Sequence, residues 1–414
     1  MQKSSLNNSK DFLRLGIAPG ILNILQKKGF KEPTPIQAQS IPVALEGKDL
    51  VGIAQTGTGK TLAFGIPVIQ NLFQNRGVGL IVLPTRELAI QVRESLNIIA
   101  PSFKMKTAML IGGAPIGRQI SELRQKPEII IGTPGRIIDH LDHRTLNLSG
   151  VKILVLDEAD RMLDMGFAPQ LKRILNFVPA ERQTLLFSAT MPPDIINIAR
   201  SFMKLPTQIE IAPPGTASAN VTQEVFIVRR EQKQALLNSL LNDYRGSVLV
   251  FVRTKFSAKK IARNIRDANH TATELHSNRT LGQRRASLEG FKNGVYRVLV
   301  ATDIASRGID VSGIELVVNY DLPAQAEDYV HRIGRTGRAS AVGHAISFAT
   351  PDQRKELYFI EKLLRKSLPL AKLPESLPEL PPISKTGPRF YSQNRPRKFN
   401  RDFNQGGNRF RRRD

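Results

Sequence analysis

Ala54-Gln-Thr-Gly-Thr-Gly-Lys-Thr61 is preceded by a short apolar run (Leu50, Val51, Ile53) and followed by a helical pattern with Leu62, Phe64 and Ile69 on one side. Strand, Gly-rich turn and helix in that order are the context a phosphate-binding loop requires. Gly57 and Gly59, interleaved with Thr56 and Thr58, let the backbone curl so that successive N–H groups point at one anion. The helix N-terminus adds its partial positive charge. Lys60 is placed to reach the β- and γ-phosphates of a nucleotide, and the Thr61 hydroxyl to ligate Mg²⁺. Ala54 stands where the strict pattern has its first glycine.

Around this loop the chain alternates short β-rich runs with amphipathic helical windows, twice over. The runs of the first half are Leu80–Leu83, Ala108–Ile111, Ile129–Ile131, Ile153–Leu156 and Thr184–Phe187. Those of the second are Val248–Val252, Val298–Ala301, Leu316–Asn319 and Ala345–Phe348. Nearly continuous Val/Ile/Leu runs separated by helices predict parallel sheets covered on both faces. The expected division is an α/β domain over residues 1–210, a linker over 211–220 of Ala/Pro/Gly/Ser/Thr composition, a second α/β domain over 221–370 and a tail over 371–414. Pro374, Pro378, Pro381 and Pro382 break regular structure there. From Ile383 to Asp414 the tail carries ten Lys/Arg against two Asp, a net of +8, interleaved with five aromatic residues. Such a segment buries too little surface to fold alone and suits loose single-strand binding by charge and stacking.

The 414 residues carry a net charge of +24, which points to a polyanionic partner. The absence of cysteine excludes disulfides, thiolate metal sites and thiol catalysis. Met1–Lys10 is polar and no run of 18 apolar residues occurs, so a soluble, cytoplasmic protein with no membrane partner is expected. His140 and His143 are three apart with no third ligand near, and are read as structural.

Two further constellations carry chemistry. Asp157-Glu158-Ala159-Asp160 follows the buried run ending at Leu156, at the sheet edge where ligands of α/β folds gather. There Asp157 can hold Mg²⁺ through its water shell and Glu158 can polarise the attacking water. Tyr329–Arg338 holds three arginines and two glycines. Arg335 and Arg338, at one helical spacing, could both point at a single anion and act as fingers on the charge that develops in the transition state.

Asp157–Asp160 spells DEAD, and the chain resembles the DEAD-box RNA helicases of superfamily 2 from Phe12 to about Leu370. Nine motifs stand in the family's order. They are Gly29-Phe30 with Pro33–Gln37, the phosphate loop, Pro84–Ala89, Gly112-Gly113, Thr133–Arg136, DEAD, Ser188–Thr190, Ala301–Asp310 and His331–Arg338. The resemblance implies two tandem RecA-like domains and an ATPase, using ATP and Mg²⁺, that unwinds or remodels RNA locally. Phe30 would stack on adenine, Gln37 would hydrogen-bond its edge and Phe12 would buttress that pocket. Asp310 would bind the ribose. Ser188 and Thr190 would link Asp160 to domain movement, with His331 orienting neighbouring groups. RNA would be gripped by Thr85, Arg86, Gly113, Thr133 and Arg136 from the first domain, and by Arg253, Arg284, Thr302, Arg307 and Gly308 from the second. Such hydroxyls, amides and arginines suit backbone contacts that carry little sequence information. The family often has Gln-x-x-Arg ending at Arg284; here the Gln position is Leu281, so only the arginine keeps a role.

The linker, Arg253-Thr254-Lys255 and Val300–Asp310 look most like the bacterial RhlE-type branch. The resemblance further implies a monomeric core with ribonucleoprotein, degradosome or ribosome-assembly partners. Two rivals differ in kind: a DNA-dependent ATPase of the same superfamily, and an RNA-annealing scaffold that works through the basic tail.

Overall fold

The computed structural model describes residues 11–55, 57–211, 221–303, 313–337, 343–375 and 377. After a 3₁₀ turn (Phe12–Leu15) come helices α1 (Pro19–Lys27) and α2 (Pro35–Leu45), the latter entered through Pro35, whose fixed φ suits a first helical position. The first sheet then builds from β1 (Leu50–Ile53), β2 (Val78–Val82), β3 (Thr107–Leu110), β4 (Ile129–Gly132), β5 (Val151–Leu156), β6 (Gln183–Ser188) and β7 (Thr207–Glu210). Its helices are α3 (Lys60–Asn75), α4 (Arg86–Leu96), α5 (Ile116–Arg124), α6 (Pro134–Asp142), α7 (Ala159–Asp164), α8 (Ala168–Phe177) and α9 (Pro193–Phe202). Strand order is β3-β4-β2-β5-β6-β1-β7, with every pairing parallel.

The second sheet comprises β8 (Val221–Ile227), β9 (Ser247–Val252), β10 (Ala272–Leu275), β11 (Val298–Thr302), β12 (Ile314–Asn319) and β13 (Gly343–Ala349). With it come α10 (Lys233–Asp243), α11 (Lys255–Asp267), α12 (Leu281–Lys292), α13 (Ala326–Ile333) and α14 (Arg354–Leu364). The order is β10-β11-β9-β12-β13-β8, again all parallel. These are two RecA-like α/β domains. Alternate residues of each strand feed cores on opposite faces. In the second domain Leu249 and Phe251 join α12, α13 and α14, whereas Val248, Val250 and Val252 join α10 and α11.

Helical patterning stops at Leu364 rather than near Leu370. Beyond it the chain runs back along β8, with the Val225 amide donating to the Pro369 carbonyl at 2.9 Å and the Ala371 amide to the Val225 carbonyl at 2.8 Å. Leu377 is buried against the α10/α11 core, so this part of the segment assigned to the tail packs on the second domain. Residues 212–220 of the linker and 378–414 of the tail lie outside the described residues. Among the described residues no helix is long and apolar enough to cross a membrane.

Candidate active site and nucleic-acid interface

Parallel registry sets the site. Ile53 pairs with Ser188, and the Ala54 amide donates to the Ser188 carbonyl, so the phosphate loop leaves β1 beside the end of β6. Gly57 and Gly59 have φ of 84° and 92°, left-handed values open to glycine without steric cost. A Cβ on Gly59 would also meet the Gln37 amide and the Thr34 side chain, which leaves a cradle only glycine preserves. Thr58 Oγ1 ties the loop to the Gln55 carbonyl at 2.7 Å; Thr56 lies outside the described residues.

A cavity of about 400 Å³ opens here, lined by Phe30, Gln37, Gly57, Gly59, Lys60, Thr61, Asp157, Glu158 and, from the second domain, Arg335. Phe12 does not line it; it is buried in the core that also receives Phe30. The Gln37 amide spans the loop, donating through Nε2 to the Gly59 carbonyl (2.9 Å) and accepting through Oε1 from the Thr34 amide (3.0 Å). Each end of that amide keeps a further hydrogen-bonding position for a ligand.

Lys60 is buried, its Nζ donating to the Ala54 carbonyl at 3.1 Å and standing 3.7 Å from Asp157 Oδ1. Burial pushes Asp157 up to about 6 despite Lys60, with Glu158 and Asp160 adding to the rise. Glu158 takes a left-handed backbone conformation (φ 53°, ψ 49°), uncommon for a non-glycine residue and of the kind that clusters at functional sites. Burial alone would raise its carboxyl, but Arg161, Lys60 and Arg335 outweigh burial and hold it below the usual carboxylate range. Arg161 Nη1 is 2.6 Å from Glu158 Oε2, with both side chains buried. Asp160 accepts through Oδ2 from the amides of Ala189 (3.1 Å) and Thr190 (2.9 Å) and from Thr190 Oγ1 (2.9 Å), while its own amide donates to Ser188 Oγ (3.2 Å). DEAD and Ser188–Thr190 are thus one hydrogen-bonded unit.

The donor set fits Mg²⁺. A carboxylate whose protonation is favoured first by burial and then by neighbouring acids is what a dication would relieve, and Mg²⁺ characteristically takes few protein oxygens beside phosphates and waters. Among the described residues no group of three or more His, Asp or Glu side chains comes together as a metal cage. His140 is bound instead by Thr145 Oγ1 (2.7 Å) and Gln119 Oε1 (3.2 Å).

Arg335 reaches the cavity by a different local structure from the one its spacing implied. Helix α13 ends at Ile333, Gly334 follows, and Arg335 sits in the turn beyond, its Nε donating to the His331 carbonyl at 3.2 Å. Arg338, Arg307, Gly308 and Asp310 lie outside the described residues.

Along the other part of the cleft, Thr85 caps α4, its Oγ1 accepting from the Leu88 amide, and Thr133 precedes Pro134 at the start of α6. Arg86 lies over Gly112 and Gly113 (φ 77°), where a Cβ would collide with its guanidinium. Arg136 Nη1 donates to the Ala114 carbonyl at 3.3 Å. Burial lowers Arg86, and Arg284 and Arg136 lower it further against the pull of Glu87, so three guanidinium groups converge on one surface. Arg284 makes a contact the linear motifs did not announce: its Nε is 2.7 Å from Glu87 Oε1, a buried ion pair between α12 and α4 that joins the two domains. Leu281, at the departed Gln position, packs on the first domain's core. Arg253 and Thr302 stand at the ends of β9 and β11. Arg332, also missed, is buried and grips Asp303 with two bonds of 2.5 and 2.7 Å.

The chain matches the family model of the DEAD/DEAH box helicases over residues 34–198 and that of the helicase conserved C-terminal domain over 231–340. It is 43% identical over 366 residues to the DEAD-box ATP-dependent RNA helicase CshA of Geobacillus kaustophilus, covering 88% of this chain and 78% of that one. The chain belongs to the DEAD-box ATP-dependent RNA helicases. It is an RNA-dependent ATPase of that family. A CshA helicase from Listeria monocytogenes is 45% identical over 360 residues, covering 86% of this chain and 69% of the relative. Both relatives are CshA helicases, so the resemblance is to CshA-type enzymes and not specifically to the RhlE-type branch that the linker and neighbouring motifs suggested. Among solved structures, Saccharomyces cerevisiae Dbp5 bound to RNA and ADP BeF3 superposes with a TM-score of 0.80 at 29% identity, covering 88% of this chain and 96% of that one.

Proposed function

We propose that this helicase hydrolyses ATP in the cavity between β1, β5 and Arg335, and that closure of the two domains on RNA completes that site. The carrying observation is that the lining comes from both domains, with Lys60, Asp157 and Glu158 on one side and Arg335 on the other. Phe30 takes the adenine face, the free valences of the Gln37 amide read its edge, and Gly57, Thr58, Gly59 and Lys60 hold the phosphates. Thr61 and Asp157 hold Mg²⁺, which when bound neutralises phosphate charge. Glu158, kept ionised by its cations, orients and deprotonates the attacking water. Arg335 stabilises charge on the transferring phosphoryl group, in the role also assigned to Arg338.

RNA runs over Arg86, Gly113, Thr133 and Arg136 to the second domain. Converging guanidinium groups favour phosphate over base edges and give binding with little sequence preference. The hydrogen bonds that Asp160 donates to Ser188 and accepts from Thr190 transmit the state of the ATP site toward the domain seam. Identity to the CshA helicases supports a bacterial, cytoplasmic enzyme of that type. The domain limits 1–210 and 221–370, the second extended by the chain to Leu377 that packs on it, the basic tail beyond as an auxiliary RNA binder, and ribonucleoprotein partners belong to the same reading.

Steady-state ATPase with no nucleic acid, single-stranded RNA or matched DNA tests it, alongside Glu158→Gln. The wild-type chain should respond to RNA, and the variant should bind ATP without turnover. RNA-stimulated turnover in Glu158→Gln would remove Glu158 from the base role.

A further inference from the structure

The second domain repeats the geometry of the phosphate-loop lysine. In the first domain β1 lies beside β6, α3 begins at Lys60, and Lys60 Nζ faces Asp157 just beyond β5. In the second, β8 lies beside β13, α10 begins at Lys233, and Lys233 faces Asp321 just beyond β12. Lys233 is buried like Lys60; its Nζ donates to the Tyr320 carbonyl at 2.7 Å and stands 3.4 Å from Asp321 Oδ1. The loop between strand and helix differs. Val228-Arg-Arg-Glu-Gln232 has no glycine, so its amides do not curl around an anion as those before Lys60 do. What remains above Lys233 is a cavity of about 580 Å³ into which Arg230, Arg253 and Lys260 bring side-chain cations, against two acids, Glu231 and Asp321.

We propose that this cavity is a second anion site, one that takes a small phosphorylated anion of the pyrophosphate class through side chains instead of backbone amides. Lys233 is paired with Asp321 at 3.4 Å and Arg230 with Asp352 at 3.8 Å, an exposed pair that solvent screens, so the cations beyond those pairs are Arg253 and Lys260, set against Glu231. Ser257 adds a hydroxyl from the first turn of α11. The cavity's concavity suits a compact ligand. It lies among α10 and α11, on the opposite face of the sheet from α12, whose Arg284 marks the seam with the first domain. Of the described residues expected to grip RNA from the second domain, Arg253 lines this cavity, whereas Arg284 and Thr302 do not. The site is wired to the ATP cleft: Asp321, on its floor, accepts Arg332 Nη1 through its carbonyl at 2.6 Å, and Arg332 lies three residues before Arg335.

Calorimetric titration of the full chain with pyrophosphate, without RNA, decides the matter. Lys60→Ala removes the competing phosphate loop. Two sites are expected in the wild type and one in Lys60→Ala. In Lys60→Ala carrying Arg230→Glu and Lys260→Glu the remaining affinity should fall by more than about tenfold. No heat in Lys60→Ala overturns the proposal, as does binding that survives both charge reversals. If Arg230→Glu with Lys260→Glu weakens single-stranded RNA instead, while Lys60→Ala binds no pyrophosphate, the cavity is part of the RNA track and the proposal falls.

Discussion

Glu87→Gln should weaken closure on RNA far more than its distance from the ATP phosphates suggests. The Arg284–Glu87 pair spans the domains at 2.7 Å, with side chains only 11% and 6% exposed. Removing the acid leaves Arg284 shut in the seam with Arg86 and Arg136 as its neighbours, whereas with the domains apart its charge is solvated. Loss of one partner from a buried pair costs about 3–5 kcal/mol. Falling on the closed state alone, that is roughly a hundredfold to a few thousandfold in the closure equilibrium. Glu94→Gln is the internal control: it lies on the same helix, is exposed, and faces the exposed Arg285. A surface pair is worth less than about 1 kcal/mol, or roughly fivefold. The assay is the RNA concentration giving half-maximal ATPase stimulation at saturating ATP, with energy transfer between dyes on the two domains reporting closure directly. RNA-free ATPase should be the same in both variants. If Glu87→Gln and Glu94→Gln shift the half-saturating RNA concentration equally, the buried pair does not hold the domains together.

Leu281→Gln replaces a half-buried apolar contact on the first domain's core with a polar amide, the residue type the family resemblance places there. The lost contact is worth about 1 kcal/mol, so half-saturating RNA should rise about fivefold, and an unchanged value would show that Leu281 contributes nothing to closure. Asp157→Asn should raise the melting temperature of the nucleotide-free chain at pH 7.5 while abolishing turnover. Burial lifts the Asp157 carboxyl from 3.8 to about 6, so the folded state holds the proton more tightly than the unfolded chain does. That stabilisation is complete below about 3.8 and lost as pH rises through about 6. The advantage of asparagine should therefore shrink as pH falls from 7 toward 4, and a difference constant over that range would refute the assignment.

Most of the frame was legible in the sequence because central strands of a parallel sheet are apolar on both faces. Each predicted run falls on a strand with its ends within two residues of the strand's ends. The strands passed over are β7, β8 and β10, all at sheet edges, where Thr207-Gln-Ile-Glu and Ala272-Thr-Glu-Leu read as mixed segments. Motif spacing located Lys60, Asp157 and Glu158 because each immediately follows a strand or opens a helix. It could not reveal partners brought together by the fold: Arg332 with Asp303, Arg284 with Glu87, or Lys233 with Asp321. Arg161 was within reach, since a cation three residues after Glu158 on a short helix faces back toward it. The helical placing of Arg335 failed on Gly334, a residue at which helices commonly stop.

In the proposed mechanism closure would do more than deliver an arginine to the phosphates. Glu158 is buried beside two other acids, and burial raises its carboxyl. Arg161 and Lys60 oppose that from its own domain, and Arg335 opposes it from the other. The same residue that would stabilise the transition state thus helps keep the base ionised, and both contributions vanish when the domains part. Arg335→Ala should lower kcat by about 10³-fold or more through the lost finger. It should also raise the pKa of Glu158, moving the acid limb of the kcat–pH profile to higher pH, since the base works only when deprotonated. Arg335→Lys keeps the charge without the fork, so it should restore the limb while recovering only part of kcat. An acid limb that stays in place in Arg335→Ala while kcat falls would mean that Arg335 acts on the phosphate alone, and that Arg161 and Lys60 suffice to hold the base.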